Sequence, residues 1–477
     1  MWRPLPIGKW FANASEAVLS RSSAAIENAF INEAGGLTGF WGLRRFVTLP
    51  SGGRVYLDDW KDSDGDLIAV TGQGRVFRVD KQANATDVTN VPLSGGRRPT
   101  FAKTDDQMLI AAGGPILAYA GKETQPLSSE APDSTHVGYL DGFTIAIEPR
   151  SGRFFHTQAG VSTSWDPLDV FTADGKPDDL NALVVTPFRE LLLCGVDSIE
   201  QFERLPSGDR PFARRWATGE GVYAPYTLIT DIDAGTWGIN RKREFVRMSG
   251  QTSRPVSDDI GRAIAVDADG APLDYTDAWG APILAFGQKF LLLQLPEART
   301  PYGTKGLTLL FDYRVGRWYA LYGWDNDLGL PARWPGWSVH SCWGRTFVGG
   351  EGIIFELIRT AHDNDGSPRR TLLRSAHYPA LEFGGKVARI DNIRARLKRG
   401  AAAQNSVTPV CGIRLLKDGR KPTKWARRSL GRSGETGFFV EFGSFGECES
   451  FQVEFVATDA AELELVSLEA DITPLAR

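Results

Sequence analysis

Three aspartates at alternate positions open the stretch KDSDGDLIAVTGQGRVFRVD, residues 61–80. Asp62, Asp64 and Asp66 have the spacing of the first ligands of a calcium loop. Such a loop of the EF-hand type needs glycine at its sixth position and glutamate at its twelfth. Counted from Asp62, those positions hold Leu67 and Gln73. The acidic cluster therefore reads as a solvated turn at Asp64-Gly65 that feeds a strand from Leu67 to Val70. The segments DADG (267–270) and DNDG (363–366) read as turns on the same logic.

Other chemistry finds no anchor. The five histidines, His136, His156, His340, His362 and His377, form no HExxH or HxH pair, so neither a metal centre nor a histidine base is marked. There is no G-x-S-x-G elbow. GQGRVF (72–77) begins G-x-G but lacks the third glycine and the helix of a nucleotide site. Cys194, Cys342, Cys411 and Cys448 are scattered without a CxxC pair, which predicts buried reduced thiols, no zinc site, and synthesis in a cytoplasm. The aspartate-box turn S-x-D-x-G-x-T-W of propeller glycosidases is absent, and paired carboxylates cannot be singled out among 58 acidic residues. The expectation is a protein with no catalytic residue, no metal and no cofactor, and not an enzyme.

The elements come next. A chain of 477 residues predicts two or three domains. With 52 Gly, 14 Trp and 26 Phe against 3 Met, it favours short strands and tight hairpins over long helices. No run approaches the roughly 18 apolar residues of a membrane span, and MWRPLPIGKW lacks the apolar centre of a signal peptide.

An apolar hairpin pattern recurs from Leu67, Met108, Phe143, Leu191, Trp237, Leu291 and Phe347. The steps of 41, 35, 48, 46, 54 and 56 residues average about 47, the length of a four-stranded propeller blade. Sheets packed radially bury both faces, which a lone hairpin cannot do. FDYRVGRWYAL (311–321) is expected to be the inner hairpin of a blade, with Gly316 at its turn. An irregular sandwich is the competing arrangement.

Before the repeat, residues 13–35 suit a helix from an Ser15 cap to a Gly35 stop, although ENAFINE can also run extended. The order ENAFINEAGG, LTGFWGLRRF, LIAVTGQGRVFRV resembles the start of the tail nozzle proteins of short-tailed bacteriophages, also called tail tubular protein B or packaged-DNA stabilisation protein. The likeness continues at LLLCGVDSIEQFERLPSG (191–208), at GINRKREFVRMSGQTSRPVSDDIGRAI (238–264) and at LTLLFDYRVGRWYAL, covering most of residues 13–360. It implies a propeller-bearing subunit of a homo-oligomeric, typically hexameric, ring. Such a ring sits below the portal and adaptor rings, extends or closes the DNA channel, and anchors tail fibres or spikes. The protein would then reside in the virion tail after synthesis in the host cytoplasm.

Past residue 370 the blade pattern stops, and about 110 residues read as antiparallel strands. Alternation at Phe451, Val453 and Phe455 predicts a half-buried strand with one wet face. From Arg389 to Arg432 there are 13 Lys/Arg against Asp391 and Asp418; from Ser433 onward there are 10 Asp/Glu against Arg477. Local neutralisation within one sandwich is the plain reading. A sharper one has the basic stretch of one subunit meeting the acidic stretch of the next, with Arg427 and Arg428 in the contact. A third has Arg394, Arg396, Lys398 and Arg399 facing DNA phosphates in transient, sequence-independent contact.

The expected fold is thus all-β: an N-terminal docking segment (1–50), a β-propeller of six or seven blades (51–368) and a C-terminal antiparallel β-sandwich (369–477). The expected role is a structural virion ring subunit. A glycan-binding or glycan-cleaving propeller module is the alternative.

Overall fold

The computed structural model describes residues 2–5, 25–61, 65–173, 175–176, 178–206, 210–258, 260–267, 269–397, 408–419, 422–431 and 439–475. Among them are seven successive antiparallel meanders. Blade 1 is Val55–Asp59, Leu67–Thr71, Val76–Val79 and Ala85–Asp87. Blade 2 runs from Thr100–Lys103 to Thr124–Pro126, blade 3 from Val137–Leu140 to Val161–Thr172, and blade 4 from Leu180–Val185 to Phe212–Ala217. Blade 5 runs from Ala224–Asp231 to Thr252–Pro255, and blade 6 from Trp279–Ala285 to Arg317–Asp325. Blade 7 takes three strands, Ser338–Cys342, Arg345–Gly349 and Ile353–Ile358, and completes itself with Gly42–Thr48 from ahead of blade 1. That borrowed strand clasps the circle. The fold is a seven-bladed β-propeller.

Why these strands read as unbroken apolar runs follows from the pleat. Successive side chains point to opposite faces, and each blade has a neighbour on both faces. In Leu67–Thr71, Leu67 and Ala69 join a core with Phe347 and Ile354 of blade 7. Ile68 and Val70 join another with Met108 and Ile110 of blade 2. Each fully buried Leu or Ile contributes about 1.5–3 kcal/mol, so the second strands stabilise two interfaces at once. At the clasp, a Cβ on Gly42 would come within 2.3 Å of the Asp363 carbonyl oxygen. Only glycine lets the borrowed strand lie this close to residues 361–363.

The remaining strands form two sheets. One contains Ala29–Ile31, Leu37–Gly39, Glu464–Leu475, Val387–Leu397 and Phe439–Cys448, with Trp2–Leu5 beside Glu464–Leu475. The other contains Ala25–Glu27, Thr371–Arg374, Ser450–Ala457, Val410–Lys417 and Ala426–Ser429. Ala25–Glu27 also pairs in parallel with the last strand of blade 6, Glu27 opposite Ala320, so this sheet is continuous with the propeller.

Three expectations are corrected here. Residues 25–31 are strands, and Gly35 (φ +81°) turns a hairpin into Leu37–Gly39 instead of stopping a helix; Ser15 lies outside the described residues. FDYRVGRWYAL is the outer hairpin of blade 6, not an inner one, although Gly316 does make its turn. Its last strand reads apolar because both faces are buried: Trp318 and Tyr322 lie in the core shared with blade 5, and Tyr319 and Leu321 in the core shared with the sandwich. Finally, Ser450–Ala457 has no wet face: Gln452 and Glu454 are as buried as Phe451, Val453 and Phe455. It lies between Thr371–Arg374 and Val410–Lys417, and Arg374 and Arg414 both bind Glu454.

The expected boundary at residue 51 falls between the clasp strand and blade 1, and the one at 369 between blade 7 and Thr371–Arg374. The strands of residues 25–48 are shared between the sandwich sheets and blade 7.

Asn28 is the pivot at this seam. It holds φ +53°, a left-handed conformation that asparagine tolerates better than most residues. Its Nδ2 donates to the Arg370 carbonyl (2.9 Å), and its Oδ1 accepts from the Tyr322 amide (2.9 Å). Beside it, Glu27 is buried and accepts from Arg370 (2.8 Å) and the Tyr302 hydroxyl (2.5 Å). Phe30, Trp41 and Phe290 pack edge-on or tilted at 5.2–6.2 Å between ring centres, fastening blade 6 to the sandwich.

Candidate functional site

Two places bear on function: the propeller axis and the charged strands of the sandwich. The first strands of all seven blades line an axial cavity of about 530 Å³. Its wall mixes apolar side chains, Phe101, Leu228, Ala281 and Val339, with polar ones such as Thr100, Tyr139 and Ser338, and is small where Gly138 faces Leu183 and Val185 of blade 4. A Cβ on Gly138 would come within 2.6 Å of Leu183 Cδ2, so a larger residue there would force the Leu183 side chain to move.

One mouth of the cavity carries a closed ion-pair network. His340 Nε2 lies 2.9 Å from Asp59 Oδ1, and Lys103 Nζ lies 3.2 Å from Asp58 Oδ1 while also bonding Asp59. Burial works against ionisation of Asp59, but hydrogen bonds from His340 and Lys103 outweigh it and hold the carboxyl well below the usual range. Asp58, Asp59 and His340 could together offer ligands to a metal. Lys103 already supplies the positive charge at that point, so the geometry is that of an ion-pair network. Blade closure brings residues 58, 59, 103 and 340 together, which no local spacing could reveal.

The opposite mouth is rich in arginine and aromatic rings. Arg54 and Arg333 each place their guanidinium carbon 4.0 Å from the Trp337 ring centre. Arg54 is paired at two points with Asp277, both at 2.8 Å. Arg98 lies over the Tyr56 and Trp279 rings at 4.8 and 4.7 Å. His136 stacks on Tyr226 at 5.4 Å and 14°, and burial pushes its imidazole down to about 4.

In the sandwich, the basic strand Val387–Leu397 lies between two acidic neighbours, Phe439–Cys448 and Glu464–Leu475. Arg394 stands opposite Glu441 on one side and Glu469 on the other, bonds Glu469 at 2.5–2.7 Å, and packs over Trp2 and Phe439. Charges segregated along the chain are interleaved in space. Arg396 is exposed on the same strand. Arg427 and Arg428 are exposed on Ala426–Ser429, the last strand of its sheet, where Arg428 Nε donates to the Glu441 carbonyl at 3.0 Å. Lys398 and Arg399 lie outside the described residues, as do Asp62 and Asp64 of the acidic turn.

This architecture coincides with a sequence relationship. Residues 21–237 match the family described as bacteriophage P22 Gp10, beta-propeller. Over those residues the chain is similar to this phage propeller family. The match runs from the seam strands through blade 4 and into blade 5; blades 6 and 7 and most of the sandwich lie beyond it. No curated protein matches the chain. Among solved structures, the extracellular domain of a putative hybrid two-component system from B. thetaiotaomicron is similar over 88% of this chain and 58% of its own, at 11% identity and a TM-score of 0.44. YCF48 from Cyanidioschyzon merolae is similar over 67% of this chain and 99% of its own, at 12% identity and a TM-score of 0.40. Virginiamycin B lyase from Staphylococcus aureus is similar over 65% and 97%, at 10% identity and a TM-score of 0.39. No helix among the described residues is long and apolar enough to cross a membrane.

Proposed function

We propose that this chain is a tail-nozzle subunit that assembles into a ring, most simply a hexamer. The ring extends or closes the DNA channel below the portal and adaptor rings and anchors fibres or spikes, without catalysis. The observation that carries this reading is the family match over residues 21–237. The geometry adds a constraint. A single groove of B-DNA is about 12 Å across, and an axial cavity of about 530 Å³ has no room for a duplex. DNA would therefore pass between subunits arranged around a shared channel, not through any one propeller.

The exposed Arg427 and Arg428 on a terminal strand suit contact with an acidic face of the next subunit, in the head-to-tail manner that closes rings. The neutralisation of Arg394 by Glu469 suits a channel wall that lets DNA slide instead of holding it. The reading is tested by assembling virions without this protein. Heads should fill and then lose their DNA, and adding the purified protein to freshly filled heads should restore retention. Virions that keep their DNA and infect normally without it would overturn the reading.

A further inference from the structure

Two arginines at the arginine-rich mouth, the half-buried Arg98 and the exposed Arg97, have no ion pair among the described residues. Lys103 is held by Asp58 and Asp59, and Arg54 by Asp277. Arg98 has no ion pair and no hydrogen bond among the described residues, although it lines the axial cavity and the smaller cavity beside it. Asp277, the carboxylate whose field reaches it, is already bound at two points by Arg54. Burial lowers the Arg98 guanidinium to about 10, which leaves it charged at neutral pH. Two aromatic rings support it, and its five N–H donors suit a planar two-oxygen anion. Tyr226 lines the same cavity, and its hydroxyl makes no hydrogen bond to the described residues. Burial pushes that phenol up to about 12, so it remains a donor.

The rest of the cavity restricts what the anion can be. Beyond Arg98 the wall carries the apolar side chains of Phe101, Leu228, Ala281 and Val339 among polar ones that include Thr100, Tyr139 and Ser338. At the far mouth Lys103 is bound to both Asp58 and Asp59, with His340 beside them, so that end offers no second free cation. A ligand with two negative heads would put the second against two carboxylates. The volume of about 530 Å³ falls within the 300–1,000 Å³ of small-molecule sites.

We propose that the propeller axis is a binding site for a small monocarboxylate with an apolar body, its carboxylate held by Arg98 and Tyr226 and its body lying along Phe101 and Val339. The site does not depend on ring assembly or on the role in the tail. Titration calorimetry of the full chain with octanoate tests it. One octanoate should bind per chain, while octylamine should not bind and inorganic phosphate should bind at least tenfold more weakly. Arg98→Met should weaken octanoate at least tenfold, and Arg98→Lys should fall between. Val339→Trp, which narrows the bore and leaves Arg98 in place, should also lose binding, so the result does not hang on one variant folding. The proposal is overturned by no octanoate binding to the wild type, by equal binding to a folded Arg98→Met, or by phosphate binding as tightly as octanoate.

Discussion

Blade 3 and the sandwich are both antiparallel β structure, but the chain builds them differently. Blade 3 is one meander within residues 137–172. The first sandwich sheet draws its strands from residues 2–5, 29–39, 387–397, 439–448 and 464–475. A blade closes short loops between chain neighbours; the sandwich must bring together segments hundreds of residues apart, at greater loop-closure entropy. The N-terminal stretch pays that cost for both regions, supplying strands to the sandwich and the clasp of blade 7. The lesson is that the sandwich depends on a closed propeller, whereas an internal blade depends mainly on its own hairpins and its two neighbours.

The largest expected effect lies at the seam. Phe290→Ala removes the ring that Phe30 and Trp41 pack against and should cost about 3–5 kcal/mol. Propeller and sandwich should lose stability together in urea, followed through separate probes. Two separated transitions in the wild type would break the claim that the seam couples them.

Next comes the sandwich alone. Glu454 is fully buried between Arg374 and Arg414, so Glu454→Ala leaves two guanidiniums without their shared carboxylate. A loss of about 3 kcal/mol is expected, with hydrogen exchange rising in 371–374, 410–417 and 450–457 before it rises in blades 1 to 4. Uniform loosening of all blades would contradict the asymmetry.

The axis gives a pH effect confined to the propeller. Burial holds the His136 imidazole at about 4, below its ordinary 6.5. As pH falls from 6.5 toward 4 the unfolded chain takes up this proton first, so the stability present above pH 6.5 is lost progressively, by at most about 1.4 kcal/mol per pH unit. His136→Phe keeps a ring against Tyr226 and should flatten this part of the profile. Some slope should remain, because burial also lowers His362 and His377. An unchanged pH profile of the urea midpoint would show that His136 titrates normally.

The smallest effect on the fold is expected at the sandwich edge. Arg427→Glu with Arg428→Glu alters two exposed side chains and should move monomer stability by no more than about 0.5 kcal/mol. Their effect should be on assembly, which should fail at low salt. A double variant that still forms rings there would remove these residues from the subunit contact.

The propeller was legible because each blade writes itself locally. The hairpins starting at Leu67, Met108, Phe143, Leu191, Trp237, Leu291 and Phe347 are the middle hairpins of the seven blades, apolar on both faces for the reason seen at Leu67–Thr71. The outer hairpin at 311–321 misled because its last strand is buried against blade 5 on one face and the sandwich core on the other, where an ordinary outer strand is exposed. The sandwich strands were also visible, but not their partners: Gln452 and Glu454 look like a wet face until Ser375, Arg374 and Arg414 are placed against them. The charge segregation from Arg389 onward was plain in sequence, and the pairing of Arg394 with Glu469 is the local neutralisation that was its plain reading. The axial site had no local signal at all, since Tyr56, Arg98, Tyr226 and Trp279 meet only when blades 1, 2, 5 and 6 close around the axis.

Ring formation is the central claim, and the mass of the purified protein by light scattering across a salt series tests it most directly. The account predicts a discrete species near six copies of the 52.3 kDa chain at low salt, falling to smaller species as salt screens the edge charges. A 52.3 kDa monomer at every salt concentration, with and without an adaptor ring present, would contradict it.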